Sequence, residues 1–229
     1  MKTIVKILAI FFLFPFVFLG QDAPIKKDNL PFIIRAHVGI PKTISSSMYR
    51  QSFNGFYEGD ISFNLKLTGN FYLGIGYQST YFQNNKFLQK KVYNASVPYE
   101  TRLIGDCPFV KLSYDKFVKS NVYIDYSLNY GYMLARYTSV NEDTTAYNKP
   151  YGAKTFNSHY VQPEISANFI VDRSLSFSVL LAYTTLFQKF DPKSPRFNQF
   201  EEVRLKNNNY FMSWITFGFG VNVLLGKNK

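Results

Sequence analysis

The sequence predicts an all-β fold, an eight-stranded antiparallel up-and-down barrel that crosses a membrane with its strands. Three observations predict it. Phe and Tyr number 24 and 18 among 229 residues, while helix formers such as Ala and Glu are scarce, a balance that favours strands. Eight segments of about ten residues or more alternate apolar with polar side chains, the length a tilted strand needs to span hydrocarbon. The connections between these segments alternate long and short. Composition excludes as well. An aromatic content of 19% is incompatible with disorder of the bulk of the chain. The single cysteine, Cys107, closes no intramolecular disulfide and supplies no thiolate zinc site. With only His37 and His159 beside it, no metal or other cofactor is expected.

The elements follow in order. Residues 1–20 read as a secretory leader, with Lys2 and Lys6 ahead of the apolar run Ile7 to Leu19. That run is short for a spanning helix, and cleavage after Gly20 or Ala23 suits it. Residues 21–30 form a short segment before the barrel of 31–229. In the first strand Phe32, Ile34, Ala36, Val38 and Ile40 share one face, opposite Arg35 and His37. The second sets Tyr57, Ile61, Phe63, Leu65 and Leu67 against Glu58, Asp60, Asn64 and Lys66. The third sets Phe71, Leu73, Ile75 and Tyr77 against Tyr72, Gly74, Gly76 and Gln78. The fourth, about Tyr99 to Tyr114, loses its period near Cys107 and Pro108. A β-bulge is expected there, since proline cannot donate to a ladder.

The fifth strand opposes Val122, Ile124, Tyr126, Leu128 and Tyr130 to Asp125, Ser127 and Asn129. The sixth opposes Val161, Ile165 and Phe169 to Gln162, Glu164 and Asn168, and the seventh opposes Phe177, Leu181 and Tyr183 to Ser176, Ser178 and Thr184. The last opposes Phe217, Phe219 and Val221 to Gly218, Gly220 and Asn222. Pro41–Asn54, Gln83–Pro98, Ser139–Asn157 and Lys189–Asn208 are the long connections. Thr68-Gly69-Asn70, Asp115–Asn121 and Asp172-Arg173-Ser174 are the short ones. An even strand count puts both termini on the short-turn side. A spanning barrel segregates its loops in this way, and a soluble meander has no reason to.

Alternation does not say which face points out. A secreted lipocalin-like barrel would turn the apolar face inward around a ligand. The small, polar minor face suits a narrow lumen instead, and Tyr57, Tyr77, Tyr81, Tyr114 and Tyr132 suit a headgroup-level girdle. The apolar face is therefore expected to meet lipid. Arranged this way, the chain resembles the small eight-stranded outer-membrane β-barrels of Gram-negative bacteria, including the PorT-like barrels. Thr216-Phe217-Gly218-Phe219-Gly220-Val221-Asn222-Val223 is similar to the C-terminal signal such barrels present to the barrel-assembly machinery. It departs from the usual pattern in carrying valines and in the trailing Gly226-Lys227-Asn228-Lys229. The resemblance implies residence in the outer membrane, a periplasmic N-terminal segment and contact with lipid and lipopolysaccharide. It also implies a protein partner in the envelope, as in secretion. Nucleic acid is not expected as a partner.

The minor face carries the candidate site residues. Arg35, His37, Glu58, Asp60, Lys66, Lys111, Asp125 and Glu164 all point into the lumen in this reading and form a charge network. Counting back from the first long connection places Arg35 opposite Asp60 and His37 opposite Glu58. Pairing Tyr114 with Val122 places Lys111 opposite Asp125, and Glu164 has no assigned partner. The glycines of Gly74-Ile75-Gly76 and Gly218-Phe219-Gly220 are expected to make room for Tyr72, Tyr123 and Trp214. Cys107 is expected to be a small apolar wall residue. Lys86, Lys90 and Lys91, with no acid before Glu100, are candidate contacts for lipopolysaccharide phosphates, although an ordinary solvated loop is the preferred reading.

Enzymes on this scaffold act on lipid A. The His-x-Ser pair of the deacylase type is absent, and Ser158 and His159, with Glu142 and Asp143 nearby, have no spacing that makes a triad. No enzymatic activity is expected. A loop-presenting outer-membrane protein is the leading function, ahead of a passive pore for small solutes and a lipid A-modifying enzyme.

Overall fold

The computed structural model describes residues 30–45, 47–84, 88–92, 95–140, 154–191 and 211–226. The leader and most of residues 21–30 lie outside them, as do parts of the long connections. The described elements are β1 (Phe32–Thr43), α1 (Ser47–Ser52), β2 (Phe53–Thr68), β3 (Phe71–Asn84), β4 (Leu88–Val92) and β5 (Ala95–Lys119). They continue with β6 (Val122–Val140), β7 (Lys154–Ile170), β8 (Leu175–Lys189) and β9 (Phe211–Leu225). Every neighbouring pair is antiparallel.

Eight strands close a barrel in the ring order β3-β2-β1-β9-β8-β7-β6-β5, with β3 bonded back to β5. First and last barrel strands pair from Phe32↔Leu225 to Thr43↔Trp214, so the ring has no edge. The small β4 pairs with the start of β5 (Leu88↔Tyr99 to Val92↔Ala95), as a hairpin within the second long connection. No helix among the described residues is long and apolar enough to cross a membrane.

The short turns have local causes. Gly69 sits at φ +54° between β2 and β3, a backbone region that glycine enters without steric cost. Before β8 the Asp172 carboxylate accepts from the Ser174 N–H at 2.8 Å, an Asx turn that reverses the chain. At the other rim the connection after β1 folds into α1. Its Tyr49 is fully buried over the barrel mouth.

Side-chain direction agrees with the sequence pattern. Ile40 is 68% exposed and Ile75 65% on the outer face, whereas Trp214 is 1% exposed on the inner one. The apolar set lies outside and the polar set inside, the reverse of a lipocalin-like barrel. Alternation continues without interruption through Cys107 and Pro108. The pairing of β3 with β5 stays in register across them (Gln78↔Cys107, Tyr77↔Pro108), so the expected bulge is absent there. The irregularities lie instead at Gly55/Tyr57, Lys66/Thr68, Phe117/Lys119 and Thr185/Lys189, near strand ends. The apparent slip arises because Leu103, Cys107 and Phe109 point into the lumen while Arg102 and Asp106 point out.

Candidate functional site: a layered lumen

The lumen is filled in three layers. Toward the long connections, a cluster that includes Tyr49, Phe53, Phe82, Phe109, Tyr160 and Trp214 forms an aromatic plug. Ring contacts tie it together: Tyr49 to Phe53 at 6.0 Å, Tyr49 to Phe190 at 5.6 Å and Phe82 to Trp214 at 5.2 Å between centroids. At the short-turn end a smaller cluster packs Leu30, Ile33, Tyr72, Tyr123, Ile170 and Leu224. Between the two lies a band of buried charge.

Arg35 is the centre of that band's lower half. Its guanidinium binds Asp115 at 2.8 Å and Asp125 at 2.8 Å, and also bonds Ser113 Oγ at 3.2 Å. Asp115 and Asp125 face one another across β5 and β6, so two like charges are held together by one cation. Arg35 also lies 5.9 Å above the Tyr72 ring, which couples the band to the lower cluster. Higher up, Lys111 Nζ bonds Glu164 Oε1 at 2.9 Å. His37 Nδ1 stands 3.3 Å from Asp60 and 4.0 Å from the same Glu164 oxygen. Asn129 donates to Gln162 at 3.0 Å, and Gln162 donates to Glu58 at 3.0 Å and to Thr184 at 2.9 Å. Trp214 Nε1 donates to the other Glu58 oxygen, joining the band to the upper plug.

The sequence places the right residues inside but pairs them wrongly. Arg35 is opposite Ser62 rather than Asp60, His37 is opposite Asp60 rather than Glu58, and Glu58 is opposite Gly39. Lys111 is opposite Asn129, and Asp125 is opposite Asp115. Shifts of two and four residues preserve every inward side chain, because the side-chain period along a strand is two. The network also runs across the lumen rather than between wall neighbours. Arg35 of β1 reaches β5 and β6, and Glu164 finds its partner Lys111 two strands round the ring. Lys66 is half-buried near the short-turn rim and enters none of the described ion pairs. Asp115, read as the start of a turn, is missed. The inward series Lys111, Ser113, Asp115 would have found it.

One smaller expectation changes. The glycines make room for other side chains than those named. A methyl at Gly76 would overlap the Phe109 ring, and one at Gly220 would overlap His37. Cys107 is fully buried on the lumenal face within the upper cluster. Ser158 points inward and His159 outward, so they cannot act on one substrate. Glu142 and Asp143 lie outside the described residues, as does Lys86. Lys90 and Lys91 fall in β4, where only the backbone is described.

The band is densely paired, although buried polar atoms such as Arg35 Nε, Gln78 Nε2 and Ser127 Oγ have no hydrogen-bond partner among the described residues. Arg35 is spent on Asp115 and Asp125 and Lys111 on Glu164, while Glu58 is held by the neutral donors Gln162 and Trp214, and the two apolar clusters cap the band. No group of three or more His, Cys, Asp or Glu among the described residues is disposed to hold a metal ion. No family model matches the sequence, and no curated protein does. The chain is similar in structure to the Neisserial surface protein A, at 16% identity and a TM-score of 0.48, over 85% of this chain and 97% of that one. It is similar also to the outer membrane protein OprG of Pseudomonas aeruginosa, at 9% identity and TM-score 0.43, over 86% and 96% of the two chains. A third similar structure is Ail, the attachment invasion locus protein of Yersinia pestis, in complex with sucrose octasulfate. There the identity is 6% and the TM-score 0.41, over 83% and 98% of the two chains.

Proposed function

We propose that the protein is a non-enzymatic outer-membrane β-barrel of a Gram-negative cell, closed by its own side chains, that presents its long connections to a partner outside. One observation carries this reading: the barrel is apolar outside and hydrogen-bonded and ion-paired inside. In water that arrangement would leave Val38, Ile40, Phe63, Ile75 and Leu128 exposed together, whereas hydrocarbon satisfies it. The closed ladder supports the same reading, because a spanning sheet can leave no edge in lipid. Assembly would proceed through β9 and its glycine-containing signal.

The test is fractionation with heat modifiability. The protein is expected in the outer membrane, and in unboiled detergent gels it should run apart from the boiled form. Recovery in the soluble periplasm would overturn the proposal.

A further inference from the structure

The short-turn end of the barrel is a closed and charged rim. Backbone bonds run round it: Asp115 N–H donates to Asn70 at 3.0 Å, Ile170 to Asn121 at 2.8 Å, Leu224 to Ser174 at 2.7 Å and Lys66 to Pro31 at 2.9 Å. They join the three short turns and the paired ends of β1 and β9 into one ring. Two of the turns are themselves fixed, one by Gly69 and one by the Asp172 carboxylate, which accepts from the Ser174 N–H and hydroxyl. Inside the ring Leu30, Tyr72, Tyr123 and Leu224 close the lumen. A ligand at this end therefore lies across the mouth and does not enter it.

The free charges of the rim share one sign. Lys66 stands where β2 turns into β3, Lys116 and Lys119 where β5 turns into β6, and Arg173 where β7 turns into β8. Asp115, beside Lys116, points inward to Arg35. That leaves Asp172 as the one acid on the described rim, and Ser174 engages it. None of the four cations enters a described ion pair. In ring order they occupy three of four corners. At the fourth, where β1 begins and β9 ends, the sequence goes on to Lys227 and Lys229.

Position narrows what these cations meet. Lys119 and Arg173 are exposed on turns, beyond the wall, and Lys66 follows Ser62 and Asn64 on the inward side of β2. A lipid packed against the outside of the barrel does not reach Lys66 at the mouth. The other exposed side chains at the turn tips, Thr68, Ser120 and Ser174, are small and polar. They offer none of the aromatic anchors that carry the centre of a protein–protein interface. Dispersed cations on a polar ring suit a polymer of repeated negative charge, held by charge more than by shape.

We propose that the short-turn rim binds a carboxylate-bearing polymer of the periplasm, the peptide-substituted glycan of the cell wall, laid across the closed mouth. Lys66, Lys119 and Arg173 take its carboxylates by charge-assisted contacts, which fasten the barrel to the wall beneath the membrane. The identity of the polymer rests on the outer-membrane reading, which puts the short turns in the periplasm.

The purified protein in detergent would be sedimented with isolated cell-wall sacculi stripped of protein, over a series of salt concentrations. Wild type is expected to sediment with them at low salt and to be released at about 1 M salt, where the screening length falls to about 3 Å. Sacculi whose carboxylates have been amidated should not carry it down. Lys66→Gln with Lys119→Gln and Arg173→Gln should stay in the supernatant. Lys42→Gln with Arg136→Gln and Lys189→Gln removes as many charges toward the long connections, and should sediment as wild type does. The fold of each variant is checked by heat-modifiable gel mobility. If the rim triple does not fold, Lys119→Glu with Arg173→Glu reverses charge at the exposed turns alone and should lose binding as well. Equal loss in the two triples, or undiminished binding to amidated sacculi, overturns the proposal. So does a photo-crosslinker at Ser120 in living cells that captures an acidic protein or a phospholipid in place of wall fragments. A protein recovered in the soluble periplasm fails the outer-membrane reading instead, whatever its binding to sacculi.

Discussion

Lys111 and Glu164 are buried and ion-paired at 2.9 Å, with His37 Nδ1 farther off at 4.0 Å from the same Glu164 oxygen. Removing one partner of such a pair strands the other charge, which costs about 3–5 kcal/mol. Removing both costs far less, since the desolvation penalty goes with them. Lys111→Met should therefore lower the urea midpoint for loss of the folded gel band. Lys111→Met with Glu164→Gln should restore most of it. If the double variant is as unstable as the sum of the singles, the two residues do not act as a pair. A second residue-scale expectation concerns Gly131, where a side-chain carbon would overlap the Pro108 carbonyl and the Tyr160 ring. Because one of those atoms is backbone, Gly131→Val should cost more than the about 1–3 kcal/mol typical of overpacking. Which residues face the lumen was legible, since alternation settles it for Arg35, His37, Lys111 and Glu164 alike. Who touches whom was not. A two-residue slip keeps every face, and nothing along one strand records the residue across the lumen that will meet it.

At the scale of elements, all eight barrel strands and the alternation of long and short connections were legible. The irregular parts were not. α1 and the β4 hairpin lie in connections whose sequence carries no sustained period, and Pro108 suggested a bulge that the outward position makes unnecessary. An outward proline on β5 disturbs only its link to β6, and the ladder with β3 runs on unbroken. The connections also carry a topological prediction. With the long ones outside the cell, protease added to intact cells should cut within Ser139–Asn157 or Lys189–Asn208. The Asp172-Arg173-Ser174 turn, closed by its own Asx bond, should be spared. Cleavage restricted to the short turns would show that the barrel is inserted the other way up.

For the molecule as a whole, the order of the layers decides whether anything passes. Eight strands enclose a space that side chains roughly fill, and here three kinds of contact fill it in series. Entry from the long-connection end meets Tyr49 of α1 and the rings of Phe53, Phe82 and Trp214. Passage through the middle would break the contacts of Arg35 with Asp115 and Asp125 and that of Lys111 with Glu164. Exit meets Tyr72 and Tyr123. The layers are also tied to one another, by Trp214 to Glu58 above and Arg35 to Tyr72 below. Because they lie in series, opening one leaves the other two closed. Planar-bilayer recordings on the purified protein should thus show no large, steady conductance. Lys111→Ala and Asp60→Ala, which loosen only the middle layer, should behave the same way. Steady conductance from the wild type would refute the filled lumen. Conductance that appears only in those two variants would mean that the charged band alone seals the barrel, and that it serves as a gate rather than as a brace.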